Sequence, residues 1–209
     1  MYISRFHYLT QDIDGYSHAE QAKLACENGV EWLQLRVKNK QRDEVIQIAK
    51  EAIAICKQHK VTLIINDHVE ICKTVDADGV HLGKTDMPVS EARLILGKDK
   101  IIGGTANTIE DIIRLYEDGA DYVGLGPYRF TQTKQNLSPV LGLSGYQQIL
   151  QQMHAKHINI PIIAIGGIQA TDITPLLKLG MHGIAVSSAV HFAADKLDVL
   201  KGFMSVFLD

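Results

Sequence analysis

PIIAIGGIQATDITPLLKLGMHGIAVSSA, residues 161 to 189, holds two short apolar runs, PIIAIGG (161–167) and GIAVSSA (183–189), separated by a longer stretch. Short runs rich in β-branched residues that alternate with amphipathic stretches predict strands and helices in turn, and therefore a parallel sheet. The same pairing recurs upstream in FHYLT (6–10), EWLQLRV (31–37), TLIIND (62–67), GVHLG (79–83), KIIGGTA (100–106) and DYVGLGP (121–127), which makes eight strand candidates. Eight units in a chain of 209 residues match the compact end of the (β/α)8 TIM barrel, an α/β fold. An open doubly wound sheet would usually carry a glycine-rich turn after its first strand, and the corresponding turn here, TQDIDGY (10–16), has no such fingerprint.

The stretches between the runs read as helices. Val45, Ile48, Ala49, Ala52, Ile53 and Cys56 follow the spacing of one helix face laid against a sheet. Ser17 with Glu20 has the capping-box spacing, Thr108 with Asp111 has its weaker form, and Pro88 suits a first helical turn. No linker or composition shift divides the chain, so residues 1–209 are expected to form one domain. One segment breaks the rhythm: YRFTQTKQNLSPVLGL (128–143) is long for a strand-to-helix connection and polar for a strand. Long loops in compact domains are usually functional.

Bulk properties narrow the function. With a formal net charge of -3 and mixed signs throughout, the chain lacks the basic stripe of a phosphate-backbone binder, so no nucleic acid partner is expected. No segment reaches the roughly 18 apolar residues of a membrane span, and MYISRFHYLTQD lacks the pattern of a secretion signal. A cytoplasmic protein is expected. Cys26, Cys56 and Cys72 fall among apolar neighbours in predicted helices and read as buried free thiols.

In such barrels the active site lies at the carboxyl ends of the strands. Polar residues gather there: Gln34, Arg36 and Lys38 at strand two, Asn66 and Asp67 at strand three, His81, Lys84 and Asp86 at strand four, and Thr105 at strand five. The long loop after strand six brings Arg129, Thr131, Thr133 and Lys134, strand seven ends in Gly166 and Gly167, and strand eight carries Ser187 and Ser188. Two carboxylates at neighbouring strand ends suit magnesium, which keeps several waters and shares its other positions with phosphate oxygens. Arg36 offers a bidentate phosphate grip, with Lys38 and Lys134 as point charges. Glycines after strand seven and hydroxyls after strand eight match the common phosphate site of these barrels, built from backbone N–H groups and a helix N-terminus. The set describes a polyphosphate clamp with two anionic pockets. His81, inside a short strand, is as consistent with a core histidine as with a catalytic one; His154 and His157 read as solvated on an outer helix.

The stretches QLRVK (34–38), NDHVEI (66–71), ADGVHLGKTDMP (77–88), GADYVGLGP (119–127), TQTK (131–134), PIIAIGGI (161–168) and GIAVSSAV (183–190) resemble the thiamin phosphate synthase family over nearly the whole chain. The resemblance implies a transferase whose partners are two small-molecule substrates, a hydroxymethylpyrimidine diphosphate and a thiazole phosphate. It assigns Gln34, Leu35, Arg36, Val37, Lys38, Asn66, Thr105 and Lys134 to the pyrimidine diphosphate, with Arg36, Lys38 and Lys134 as the groups that act on it. It assigns Thr131, Gln132, Thr133, Gly166, Gly167, Ser187 and Ser188 to the thiazole phosphate, and Asp67 and Asp86 to Mg2+. This chain departs from the family pattern at Arg129-Phe130, where Phe-Pro is usual, at Thr105 (usually serine), His68 (usually arginine) and Lys84 (usually glutamine). Two alternatives stay open: a related thiazole tautomerase, which uses a histidine in the loop after strand five where this chain reads GGTANTIED (103–111), and an idle barrel that binds thiamin precursors. A symmetric homodimer is the expected assembly, because small barrels commonly associate and homodimers dominate soluble oligomers.

Overall fold

The computed structural model describes residues 1–130 and 139–207. Strands β1 (Phe6–Leu9), β2 (Trp32–Leu35), β3 (Thr62–Asn66), β4 (Gly79–Leu82), β5 (Ile101–Ala106), β6 (Tyr122–Leu125), β7 (Ile162–Ala164) and β8 (Gly183–Val186) form a closed barrel in sequence order. All neighbours are parallel, and β8 closes on β1 through Phe6 opposite Ile184 and Tyr8 opposite Val186. Each strand falls inside one of the eight apolar runs.

The helices are α1 (His18–Glu27), α2 (Arg42–His59), α3 (Val69–Val75), α4 (Val89–Leu96), α5 (Ile109–Glu117), α6 (Gly142–Ala155), α7 (Ile173–Leu179), α8 (Ser188–His191) and α9 (Lys196–Ser205). The apolar face expected on α2 is buried at Val45, Ala49, Ala52, Ile53 and Cys56, with Ile48 half-buried at its margin. Ser17 and Glu20 close a full capping box at α1, and Thr108 and Asp111 close one at α5. Pro88 sits one position earlier than the expected first turn, as the N-cap of α4. The segment 128–143 spans the connection from β6 to α6, whose first turn takes up Gly142 and Leu143.

Strand alternation divides the core in two. Leu33, Leu35, Leu63, Ile65, Ile102 and Val123 point outward and pack with the helices, while Trp32, Ile64, Ile101, Tyr122, Ile163 and Ala185 point inward and fill the barrel. Cys26, Cys56 and Cys72 are free and buried in the outer layer, as their apolar surroundings predicted. His154 and His157 are exposed. Among the described residues no helix is long and apolar enough to cross a membrane.

Candidate active site

The barrel is plugged from below by aromatics. His7 stacks on Trp32 with ring centroids 4.4 Å apart, and Tyr122 meets both rings edge-on. A methyl group on Gly103 would lie 2.2 Å from the Tyr122 ring, so only glycine there lets the phenol cross the barrel. Above this plug a cavity of about 580 Å3 opens at the carboxyl ends of the strands, and all eight strand ends or the loops that follow them contribute to its wall. That volume falls in the range of small-ligand sites.

On one side of the cavity β3 and β4 bring two carboxylates together. Asp67 follows β3 directly, its N–H donating to the His81 carbonyl at 2.8 Å, and its φ of +67° is a left-handed conformation that Asp and Asn tolerate better than most residues. Its carboxylate is hydrogen-bonded to the Lys38 ammonium and to the Asp86 carboxyl. Asp86 in turn accepts the Gly83 N–H at 2.6 Å, which ties it to the end of β4. Burial pushes the Asp67 carboxyl up, but Lys38 and the Asp86 hydrogen bond outweigh it and hold Asp67 below the usual carboxylate range. Burial and the neighbouring Asp67 push Asp86 above that range. Two carboxyls that compete for one positive charge are a half-built site for a hard cation. Among the described residues no group of three or more His, Cys, Asp or Glu forms a metal cage. The two neighbouring carboxyls by themselves suit an ion that takes its other ligands from water and substrate, as magnesium does with phosphates.

Gln34, Arg36 and Lys38 all line the cavity although β2 stops at Leu35, so the every-second-residue pattern continues past the strand end. Leu35 and Val37, between them, are buried in the outer core, so their side chains are turned away from the cavity. Asn66 lines the wall and is buried, and its amide Nδ2 has no partner, which leaves a donor for a ligand acceptor. Thr105 faces the cavity with its hydroxyl 3.0 Å from Nε2 of His81, whose Nδ1 pairs with the Tyr122 hydroxyl at the same distance. Lys84 lines the wall with its ammonium 2.7 Å from Asp111.

A set of residues that sequence reasoning passed over holds this side in place. Thr10 accepts the N–H of Arg36 at 3.1 Å, and Asp12 accepts those of Lys38 and Asn39 at 3.0 and 3.2 Å. His18 bridges the two, 2.8 Å from the Thr10 hydroxyl and 2.9 Å from Asp12. Both anchors lie in TQDIDGY, the turn that follows β1. The sequence signal was an Asp two residues beyond a strand end, which is as common in a plain turn.

The opposite side is backbone-rich. Gly166 and Gly167 have φ of +96° and +69°, and added methyls would meet Pro127 and Arg129 at 2.8 and 2.9 Å. Ser187 lines the cavity with its hydroxyl 3.1 Å from Oε1 of Gln11, and Ser188 beside it opens α8. The helix expected after strand eight is a single turn of four residues, too short to build an appreciable dipole. Backbone N–H groups and hydroxyls are what this side offers. Arg129 does not point at this wall as a free cation: it pairs with Asp172 and donates to the Gly167 carbonyl at 3.1 Å. Thr131, Gln132, Thr133 and Lys134 lie outside the described residues. Asn107, the polar residue after β5 on the wall, donates through its side chain to the Gly126 carbonyl.

Fold and cavity together define a (β/α)8-barrel enzyme whose polar groups converge on one mouth. Residues 8–190 match the family described as thiamine monophosphate synthase. The chain is 48% identical over 199 residues to the thiamine-phosphate synthase of Bacteroides fragilis (strain ATCC 25285), covering 95% of this chain and 98% of that one. It is 49% identical over 199 residues to the synthase of Phocaeicola vulgatus, covering 95% and 96%. Among solved structures, the thiamine phosphate pyrophosphorylase of Pyrococcus furiosus superposes with a TM-score of 0.84 at 31% identity, over 97% of this chain and 95% of that one. The chain belongs to the thiamine monophosphate synthase family; it is a transferase of thiamine biosynthesis, with the function of a thiamine-phosphate synthase.

Proposed function

We propose that the two sides of the cavity divide the family reaction between them. The pyrimidine diphosphate lies on the side of Gln34, Arg36, Lys38, Asn66, Asp67, Asp86 and Thr105, and the thiazole phosphate on the side of Gly166, Gly167, Ser187 and Ser188. The thiazole ring nitrogen then displaces diphosphate from the pyrimidine methylene to give thiamin phosphate. The observation that carries this assignment is the contact of Asp67 with both Asp86 and Lys38 in the wall of the cavity. Two carboxylates and a lysine so close together suit a diphosphate that arrives with a divalent cation, and bare ligand binding would not repay their desolvation.

Asp67 and Asp86 would hold magnesium, which when bound supplies charge neutralisation for the departing diphosphate. Arg36, held at its backbone by Thr10, grips the leaving group with parallel N–H donors. Lys38, held at its backbone by Asp12, adds a point charge at the place where negative charge grows. Lys134 serves the same diphosphate from the long loop. Thr105 and the unpartnered amide of Asn66 orient the pyrimidine; the aromatic plug excludes water from below. Because diphosphate leaves early, the nucleophile needs positioning beside the pyrimidine cation and no dedicated base. The threonine that replaces the usual serine at 105 still lines the cavity, and its hydroxyl can hydrogen-bond as a serine's does.

The test mixes the purified protein with each substrate alone, then both, across a magnesium titration, and follows diphosphate release. Release that needs both substrates and the metal supports the assignment. Isomerisation of a carboxythiazole without the diphosphate partner would instead mark a tautomerase, and absence of either reaction would mark a binding barrel.

A further inference from the structure

Arg129 occupies the turn after β6 and touches the glycine pair after β7 twice. Its backbone N–H donates to the Gly166 carbonyl at 2.9 Å, and its guanidinium donates to the Gly167 carbonyl at 3.1 Å. A trans peptide is planar, so a carbonyl pinned on one side turns the following N–H to the other. The N–H groups that follow belong to Gly167 and Ile168, both residues of the cavity wall. Neither N–H finds an acceptor among the described residues. Successive N–H groups turned to one side make an anion-binding concavity.

The guanidinium has little freedom to do anything else. It forms two hydrogen bonds to Asp172, one of 2.6 Å to Oδ1 and a shorter one to Oδ2, and its centre lies 4.7 Å from the Tyr128 ring centroid. Asp172 is buried and is itself located by the Gln169 N–H at 2.7 Å. Two adjacent glycines at positive φ are the most pliable kind of backbone, and their peptide planes rotate at small cost unless something holds them.

We propose that Arg129 is a positioning residue for the thiazole phosphate: locked by Asp172, it fixes the peptide planes of Gly166 and Gly167 so that the N–H groups of Gly167 and Ile168 face the cavity as phosphate donors. This rests on the assignment of the thiazole phosphate to the glycine side. Arg129 acts through the backbone rather than as a phosphate ligand, since its fork is occupied by Asp172 and Gly167. It also gives a purpose to the residue at which this chain departs from the Phe-Pro of its family.

The experiment is direct titration of thiazole phosphate and, separately, of the pyrimidine diphosphate into wild type, Arg129→Met and Asp172→Asn, with thermal melting as a folding check. Arg129→Met should weaken thiazole phosphate by about tenfold or more with the pyrimidine diphosphate unchanged, and Asp172→Asn should show a smaller loss of the same selectivity. Arg129→Ala supplemented with ethylguanidinium should regain part of the affinity, because the guanidinium refills the brace between Asp172 and Gly167. If Arg129→Met folds poorly, Asp172→Asn and the supplemented Arg129→Ala decide. Variants that bind thiazole phosphate like wild type, or that lose both ligands equally, overturn the inference alone. A wild type that takes up no thiazole phosphate overturns the two-sided assignment and this inference with it.

Discussion

The imidazole of His81 spans two hydroxyls, with Nε2 3.0 Å from Thr105 Oγ1 and Nδ1 3.0 Å from the Tyr122 phenol. The histidine thus links the aromatic plug to the cavity wall and holds the Thr105 side chain in one orientation. Thr105→Val removes that hydroxyl and leaves Nε2 facing a methyl group in a largely closed site. It should cost about 1–3 kcal/mol of stability and raise the KM of the pyrimidine diphosphate. Thr105→Ser, which restores the hydroxyl, should do neither. Urea unfolding and steady-state kinetics on the pair check this; a serine variant as impaired as the valine one would show that the methyl, not the hydroxyl, matters.

Asp67→Asn and Asp86→Asn should each fold. Asparagine tolerates the left-handed backbone at 67 as aspartate does, and an amide is close to isosteric at both positions. Activity should fall on the order of a thousandfold, because a carboxylate is lost where the leaving group gathers charge. Excess magnesium should recover part of it, and the double substitution should cost less than the product of the singles, since one ion cannot be lost twice. A folded variant at either position that turns over like wild type removes that residue from the metal site.

Ser188→Asp places a carboxylate in the wall on the glycine side. Repulsion of a phosphate should weaken thiazole phosphate by about a hundredfold while the pyrimidine diphosphate, across the cavity, still binds. Saturation by thiazole phosphate at wild-type concentrations would move the second anionic pocket elsewhere.

Acid should expose the Arg129–Asp172 pair. Burial pushes the Asp172 carboxyl up, but the Arg129 hydrogen bonds, the Gln169 N–H and the Arg129 charge together hold it below the usual carboxylate range. A carboxyl depressed in the folded state binds fewer protons than in the unfolded chain, so its contribution is complete above the unfolded value and is lost as pH falls through the folded one. The stability gap between wild type and Asp172→Asn should therefore be widest near neutrality and should close in strong acid. Urea unfolding across that pH series measures it, and a gap that widens on acidification would reverse the sign argued here.

What the sequence determined by itself was the periodic part of the molecule. Alternation of β-branched runs with helical faces such as Val45, Ala49, Ala52 and Cys56 is a local property, set by the geometry of one element at a time, and eight repeats of it left few folds to choose from. The carboxyl ends of the strands were legible for the same reason: once the strands are located, Gln34, Arg36, Lys38, Asn66, Asp67, Thr105 and Gly166 must follow at one end of the barrel. Tertiary structure alone decided which of these touch. Nothing local makes Asp67 and Asp86 compete for one cation, ties Thr10 and Asp12 to the amides of Arg36 and Lys38, or turns Arg129 from one polar residue of a long loop into the partner of Asp172. Those contacts join residues up to 43 positions apart, as in the Arg129–Asp172 pair, and they depend on barrel closure and register. A pairwise contact across different strands is a distance in space, which the order of residues along the chain does not encode one element at a time.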